Sequence, residues 1–224
     1  MKSYKLLLAS LFTVVLFAVG CKTLNKTQKG AIIGTAGGAA AGAVVGKIAG
    51  NTALGAIIGA AVGGVTGGLI GRKMDKQAEE LKNALPSAQV ERVGEGIVIE
   101  FNNKILFGFD QSNLTIEANN SLGKLKDILI KYPDTNIEVQ GHTDDKGSVK
   151  YNQALSERRA TAVVHNLSEH NIPASRLTLK GFGESFPKYS NHSEEGNAQN
   201  RRVDFLVTAN EKMKADAAHS VSTD

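Results

Sequence analysis

Residues 137–160, IEVQGHTDDKGSVKYNQALSERRA, decide the fold of the C-terminal half of this chain. Ile137, Val139 and Gly141 alternate with polar residues, the period-2 signature of a strand. The stretch Ser148 to Asn171 then reads as a long helix with Leu155, Val163 and Leu167 toward a core. On that helix Asn152, Ser156 and Arg159 fall at i, i+4 and i+7, hence on one face. Asp144 lies in the loop that feeds the helix. Arg158 points about a hundred degrees away from Arg159 and reads as a surface charge. A carboxylate and a guanidinium so placed can form a structural ion pair or a helix cap, or they can frame a small cleft that takes a ligand.

Working outward, the strand–helix alternation continues on both sides. Val90 to Val93 and Ile97 to Phe101 read as strands joined by a turn at Val93 to Gly96. Ile105, Phe107 and Phe109 alternate and lead to Asp110. Ser112 to Tyr132 has the spacing of an amphipathic helix ended by Pro133. Leu177 and Leu179 mark another strand, and Val203, Phe205 and Val207 the last. Strands alternating with two long helices predict an α+β domain, an α/β sandwich with one mixed sheet and two helices in the order β-α-β-α-β, over residues 89–210. Residues 211–224 are polar and rich in small residues and read as a disordered tail.

The first half is a different material. Lys2 and Lys5 precede an uncharged apolar run from Leu6 to Ala18, then Ala18, Val19, Gly20 and Cys21. This arrangement predicts a signal peptide over residues 1–20. The small residues before Cys21 resemble the lipobox of bacterial lipoproteins. That resemblance implies cleavage before Cys21, which would then carry lipid as the mature N-terminus. Cys21 is the single cysteine of the chain, so it has no internal disulfide partner. Burial of acyl chains at about 0.8 kcal/mol per methylene makes several chains together a stable anchor.

After a polar linker, residues 21–29, glycines recur at 30, 34, 38, 42, 46 and 50, and again at 55, 59, 63, 67 and 71. Spacing of four lays them along one stripe of a helix. The cost of so many glycines, about 1 kcal/mol each against alanine, needs compensation from close backbone approach. The segment resembles the glycine-zipper segments of some envelope lipoproteins. Residues 30–72 are therefore expected to form a helical hairpin turning near Gly50 to Ala53. Its stripes would face each other or another copy of the chain, which would make a homo-oligomer. The second arm, Ala53 to Gly71, would be about 28 Å long, near the hydrocarbon thickness of a bilayer. Insertion in lipid and zipping on the surface both fit. Residues 73–88 read as a spacer helix, with Met74, Ala78, Leu81 and Leu85 at spacings of four, three and four; continuation of the second zipper helix fits equally well.

The ordered set Gly141-His142-Thr143-Asp144, Gly147, Tyr151-Asn152, Leu155-Ser156, Arg158-Arg159-Ala160, Gly181-Phe182-Gly183-Glu184 and Asn200-Arg201-Arg202-Val203 resembles the OmpA-like peptidoglycan-binding domain. That family includes the peptidoglycan-associated lipoprotein and flagellar stator domains, and the likeness covers about Ile97 to Val207. It implies a pocket for the diaminopimelate of the wall's peptide stem. Asp144 would take the ammonium and Arg159 would fork onto the carboxylate. Asp110, Asn152, Thr143 through its backbone, and a late arginine, Arg202 or Arg201, would line the pocket.

The resemblance further implies an outer-membrane, lipid-anchored protein with its C-terminal domain in the periplasm, whose partners are peptidoglycan and the membrane. Lys22 after the cysteine lacks the aspartate that signals inner-membrane retention in some bacteria. A stator-like role fits poorly, because an anchor at Cys21 replaces the charged transmembrane helix that coupling would need. The remaining alternative is an assembly or pore factor in which the zipper oligomerises and the wall domain only positions it.

Other classes fit poorly. The formal charge is +4, and removal of Lys2 and Lys5 with the signal leaves +2, too little to argue for nucleic acid. The five histidines are scattered, with no metal-binding pair. There is no nucleophile elbow, and His142 at a strand end reads as a structural side chain. Gly181 and Gly183 followed by Phe186 miss the third glycine of a dinucleotide fingerprint. Neither an enzyme nor a metal or cofactor is expected.

Overall fold

The computed structural model describes residues 65–108 and 110–222. The expected signal peptide, Cys21, the linker and the hairpin before residue 65 lie outside the described residues. The elements run α1 (Val65–Ala84), β1 (Ala88–Val93), β2 (Gly96–Asn102), α2 (Asn103–Leu106), α3 (Ile116–Lys131), β3 (Thr135–Gly141), α4 (Val149–Glu169), β4 (Leu177–Gly181), α5 (Glu194–Asn200), β5 (Arg202–Ala209) and α6 (Glu211–Ser222). The strands form one mixed sheet in the order β1-β2-β5-β3-β4. Only β3 and β4 pair in parallel, as a helix crossover allows, and α4 is that crossover. The expected α/β sandwich with one mixed sheet is the fold observed.

Strand alternation sorts the two faces of the sheet. Ile99, Phe205 and Val139 sit in one cross-strand row, and Ile97, Val207 and Ile137 in the next. All six are buried in a single apolar cluster with Leu122, Leu125 and Leu129 of α3 and Ala160, Val163 and Leu167 of α4. Phe101 and Phe205 meet edge to face with centroids 5.5 Å apart. The opposite face carries a polar row, Glu100, Asp204 and Gln140, in register on β2, β5 and β3.

Four sequence expectations are corrected. First, of the two readings left open for residues 73–88, continuation of the helix is the one observed: α1 runs unbroken from Val65 to Ala84 through 72–73 and packs on the core, not as a free spacer. Ile70, Met74, Leu81 and Leu85 are at most 1% exposed and belong to the same cluster as the sheet, so the packed body begins before residue 89. Second, the tail after 210 is helical. Met213 and Ala217 of α6 are buried in that cluster, and the Asn210 side chain accepts the Met213 N–H at 3.0 Å as an N-cap. Third, the alternation at Ile105 and Phe107 does not mark a strand. Asn103–Leu106 is one helical turn capped by Asn102, and Phe107 makes only an isolated bridge to Leu114. Fourth, α3 starts at Ile116, not Ser112, because Thr115 is the N-cap and accepts the Ala118 N–H at 2.9 Å.

Candidate functional site

The C-terminal end of β3 sets the site, because α4 rests directly on it. A Cβ added at Gly141 would lie 2.2 Å from the Ser156 carbonyl oxygen. One added at Gly181, on the neighbouring β4, would lie 2.7 Å from the Ser156 Oγ and from the Glu157 nitrogen. Only glycine at these two strand ends permits that approach. Ser156 exploits it: its hydroxyl accepts the Gly183 N–H at 2.9 Å and donates to the Gln153 carbonyl at 2.8 Å. Helix α4 is thereby pinned against the loop after β4, and the loop from β3 to α4 joins it through the Thr143 N–H, which donates to the Gly183 carbonyl at 2.9 Å.

Asp144 sits in that loop and is 5% exposed. One carboxylate oxygen accepts the Lys146 N–H at 3.2 Å, and the other is paired with the Arg201 guanidinium. Its carbonyl accepts from the Thr143 hydroxyl at 2.8 Å and from the Asn152 amide at 3.3 Å. The helix cap is Ser148, which accepts the Tyr151 N–H. Asp144 therefore does not cap α4, and it does form an ion pair, though with Arg201 and not with Arg159.

Arg159 lies seven residues after Asn152 and is 3% exposed. Its Nε donates to the Gln111 carbonyl at 3.0 Å, and its guanidinium carbon stands 5.4 Å from the centre of the Phe107 ring. With the Asn103 amide oriented oxygen-first, that oxygen accepts from both terminal nitrogens at 3.0 and 2.9 Å. Burial lowers the Arg159 pKa and the nearby Asp110 carboxylate opposes the shift; arginine stays charged regardless. Arg201 also acts electrostatically on Arg159, so both guanidinium groups share one neighbourhood.

Asp110 has φ of +55°, the left-handed region that costs a residue other than glycine, although aspartate tolerates it better than most. That turn aims the carboxylate at the Tyr151 hydroxyl, which donates to it. The same bond is the main reason the Tyr151 pKa is raised.

The structure thus brings together Asp110, Asp144, Asn152, Thr143, Arg159 and Arg201 at one end of the molecule, and it leaves Arg202 out. Arg202 is 1% exposed on the polar face of the sheet, with its Nε 3.1 Å from Asp204. Its terminal nitrogens reach the Asn200 and Phe186 carbonyls. Arg202 opens β5 and shares the facing of Asp204, whereas Arg201 precedes the strand as the C-cap of α5, so strand alternation in the sequence did not choose between them.

Thr143 is also recast, since its backbone N–H is spent on Gly183. The sequence reading missed Tyr151 as a partner of Asp110, and it missed Glu184, which accepts from the Asn152 amide. It also missed Glu194, which links Arg201 at 3.4 Å to Lys146 at 2.7 Å. His142, 1% exposed, stacks on Phe182 and stands 3.5 Å from Asp204 without a hydrogen bond. Burial holds its pKa well below the usual value for histidine, with Arg202 adding to the shift.

The model of the OmpA family matches residues 106–201. The outer-membrane lipoprotein YfiB of Pseudomonas aeruginosa is 36% identical over 115 residues, which are 51% of this chain and 68% of that protein. This chain belongs to the OmpA family.

The OmpA-family match spans every residue of the cluster, from Asp110 to Arg201. A second family model, the YMGG-like Gly-zipper, matches residues 1–75. The peptidoglycan-associated lipoprotein of Legionella pneumophila is 34% identical over 48% of this OmpA-family chain and 61% of its own length. Outer membrane porin F of Pseudomonas fluorescens is 43% identical over 105 residues, 47% of this chain, and the match spans 32% of the porin.

Among solved structures, a MotB-like protein of Desulfovibrio vulgaris superposes with a TM-score of 0.59 at 26% identity, over 62% of this chain and 93% of that one. The cell wall anchor of the type VI secretion system (T6SS) of Pseudomonas aeruginosa does so with 0.53 at 28%, over 61% and 96%.

Proposed function

We propose that this chain is an outer-membrane lipoprotein that binds peptidoglycan non-covalently and tethers the membrane to the wall. The observation that carries this reading is the convergence of two guanidinium groups, Arg159 and Arg201, with two carboxylates, Asp110 and Asp144, at one end of an OmpA-family domain. A zwitterionic amino acid needs such a pair of poles. The names of two similar proteins, a peptidoglycan-associated lipoprotein and a cell wall anchor, support the same ligand class.

The finer reading concerns diaminopimelate, which presents an ammonium and a carboxylate on one carbon. The ammonium docks on Asp144 and the carboxylate on Arg159, whose guanidinium is already oriented by Gln111, Asn103 and Phe107. Arg201 holds Asp144 in the unliganded domain and stands where it can turn to the incoming carboxylate. Asn152 fixes the Asp144 backbone from below. Recognition here is hydrogen bonding and charge pairing; no step of bond making is assigned to any residue. Lipidated Cys21 supplies the anchor. The Gly-zipper match favours a second role for residues 30–72, as a self-associating membrane segment that the wall domain positions.

Calorimetric titration of the full chain in detergent with free meso-diaminopimelate and with lysine tests the pocket. Saturable binding of diaminopimelate, absent for lysine and absent in Asp144→Ala, is the expected result. Equal binding of both amino acids, or of neither, would sink the diaminopimelate reading.

A further inference from the structure

A groove of about 690 Å³ runs beside the candidate site, between residues 112–114 and the outer face of α4. Its α4 wall includes Ala154, Arg158, Thr161 and His165, spaced at three to four residues along one stripe. Its other wall, Ser112 to Leu114, follows directly on Asp110 and Gln111. Arg159 grips that same strip of chain through the Gln111 carbonyl at 3.0 Å. The groove therefore lies beside the cluster that holds the two poles.

Arg158 is the unused cation of this groove among the described residues. It lies close enough to Tyr151 and Arg159 to act on both electrostatically, yet it has no hydrogen-bond or ion-pair partner. The neighbouring charges are already engaged. Glu157 accepts the Gln153 amide at 2.7 Å, and His165 stands 3.3 Å from Glu169. The Thr161 hydroxyl is turned inward to the Glu157 carbonyl. An exposed guanidinium with no partner, in a groove whose wall follows directly on Asp110 and Gln111, fits an anionic extension of the same ligand.

We infer that this groove takes the peptide stem that continues from the docked diaminopimelate, with Arg158 pairing to a stem carboxylate. The inference rests on the diaminopimelate reading above. The residue sits within a peptide chain, so its neighbours must leave the pocket. The stems of peptidoglycan carry free carboxylates beside the diaminopimelate, and these match the one cation on offer. Arg158 then acts as a specificity residue for the intact stem and contributes nothing to the free amino acid.

The test is calorimetry on the full chain in detergent with two probes, free meso-diaminopimelate and a purified disaccharide–tetrapeptide fragment of the wall. Arg158→Ala removes the cation, and Thr161→Trp fills the groove without touching a charge. Both variants are expected to bind free diaminopimelate as the parent does and to bind the fragment roughly fivefold more weakly, the scale of one exposed charge pair. If the parent binds both probes and neither variant weakens the fragment, the groove assignment is overturned and the pocket stands. Equal weakening of both probes also overturns it, because the groove is then not separate from the pocket. If the parent binds neither probe, the pocket reading fails and takes this inference with it.

Discussion

The Asp144 carboxylate is held from two sides, by the Arg201 guanidinium and by the Lys146 N–H, so the site is closed upon itself before any ligand arrives. Arg201 and Arg202 then separate cleanly in experiment. Arg202→Ala strands the buried Asp204 carboxylate and costs about 3–5 kcal/mol, read from the urea midpoint. Arg201→Ala, whose side chain is partly exposed and whose partner Asp144 keeps the Lys146 N–H, costs less than Arg202→Ala in the same measurement but changes wall binding. Equal stability losses for the two variants would contradict the facing assigned here.

Asp204 adds a pH signature. Burial pushes its carboxyl up to about 6, with Arg202 pulling the other way. The folded state thus holds this proton more tightly than the unfolded chain. The stabilisation is complete below about 4 and is lost as pH rises through about 6. His142 has the opposite sign, with stability present above about 6.5 and lost as pH falls below it. Asp204→Asn should therefore gain on the parent between pH 4.5 and 7.5; a pH-independent difference would count against the buried carboxylate. The shared face of Asn152 and Arg159 and the loop position of Asp144 were legible from helix spacing, but their choice as site residues rested on the likeness to the OmpA-like domain. The partner of Asp144 was not, because an ion pair between residues 57 apart depends on tertiary approach.

Helices α1 and α6 pack against each other, and both contribute to the apolar cluster of the sheet. Met74→Ala should cost about 2–5 kcal/mol, as a fully buried methionine does, whereas a true spacer helix would tolerate it. Ending the chain after Asn210 should likewise lower the thermal midpoint, because Met213 and Ala217 leave the core with α6. A truncated chain as stable as the parent would restore the tail to a passive role. Gly141→Ala belongs to the same scale: the added methyl meets the α4 backbone, and an overpacking loss of about 1–3 kcal/mol or more follows.

The sheet was legible from alternation, since Ile137, Val139, Val203, Phe205 and Val207 keep a strict period. The terminal helix was not, because its small apolar face becomes a helix stripe only once α1 supplies a partner. Its N-cap at Asn210 with Glu211 in the first turn was nevertheless present in the sequence. The turn at Asn103–Leu106 was hidden by the aromatic alternation around it.

At the scale of the molecule, an OmpA-family domain follows a glycine-patterned segment that begins shortly after a single cysteine. Among the described residues no helix is long and apolar enough to cross a membrane; the proposed anchor is a lipid on Cys21. Cys21→Ala should move the chain from the outer-membrane fraction to the soluble periplasmic fraction; retention in the membrane would shift the anchoring role to residues 30–64. In the proposed function the chain is anchored at one end and grips the wall at the other.

The measurement that tests the grip most directly is co-sedimentation of the full chain with purified diaminopimelate-type peptidoglycan, beside Asp144→Ala and Arg159→Ala variants shown to be folded. Sedimentation of the parent with the wall, and retention of both variants in the supernatant, is the predicted result. A parent that stays in solution, or variants that sediment with it, would contradict the account.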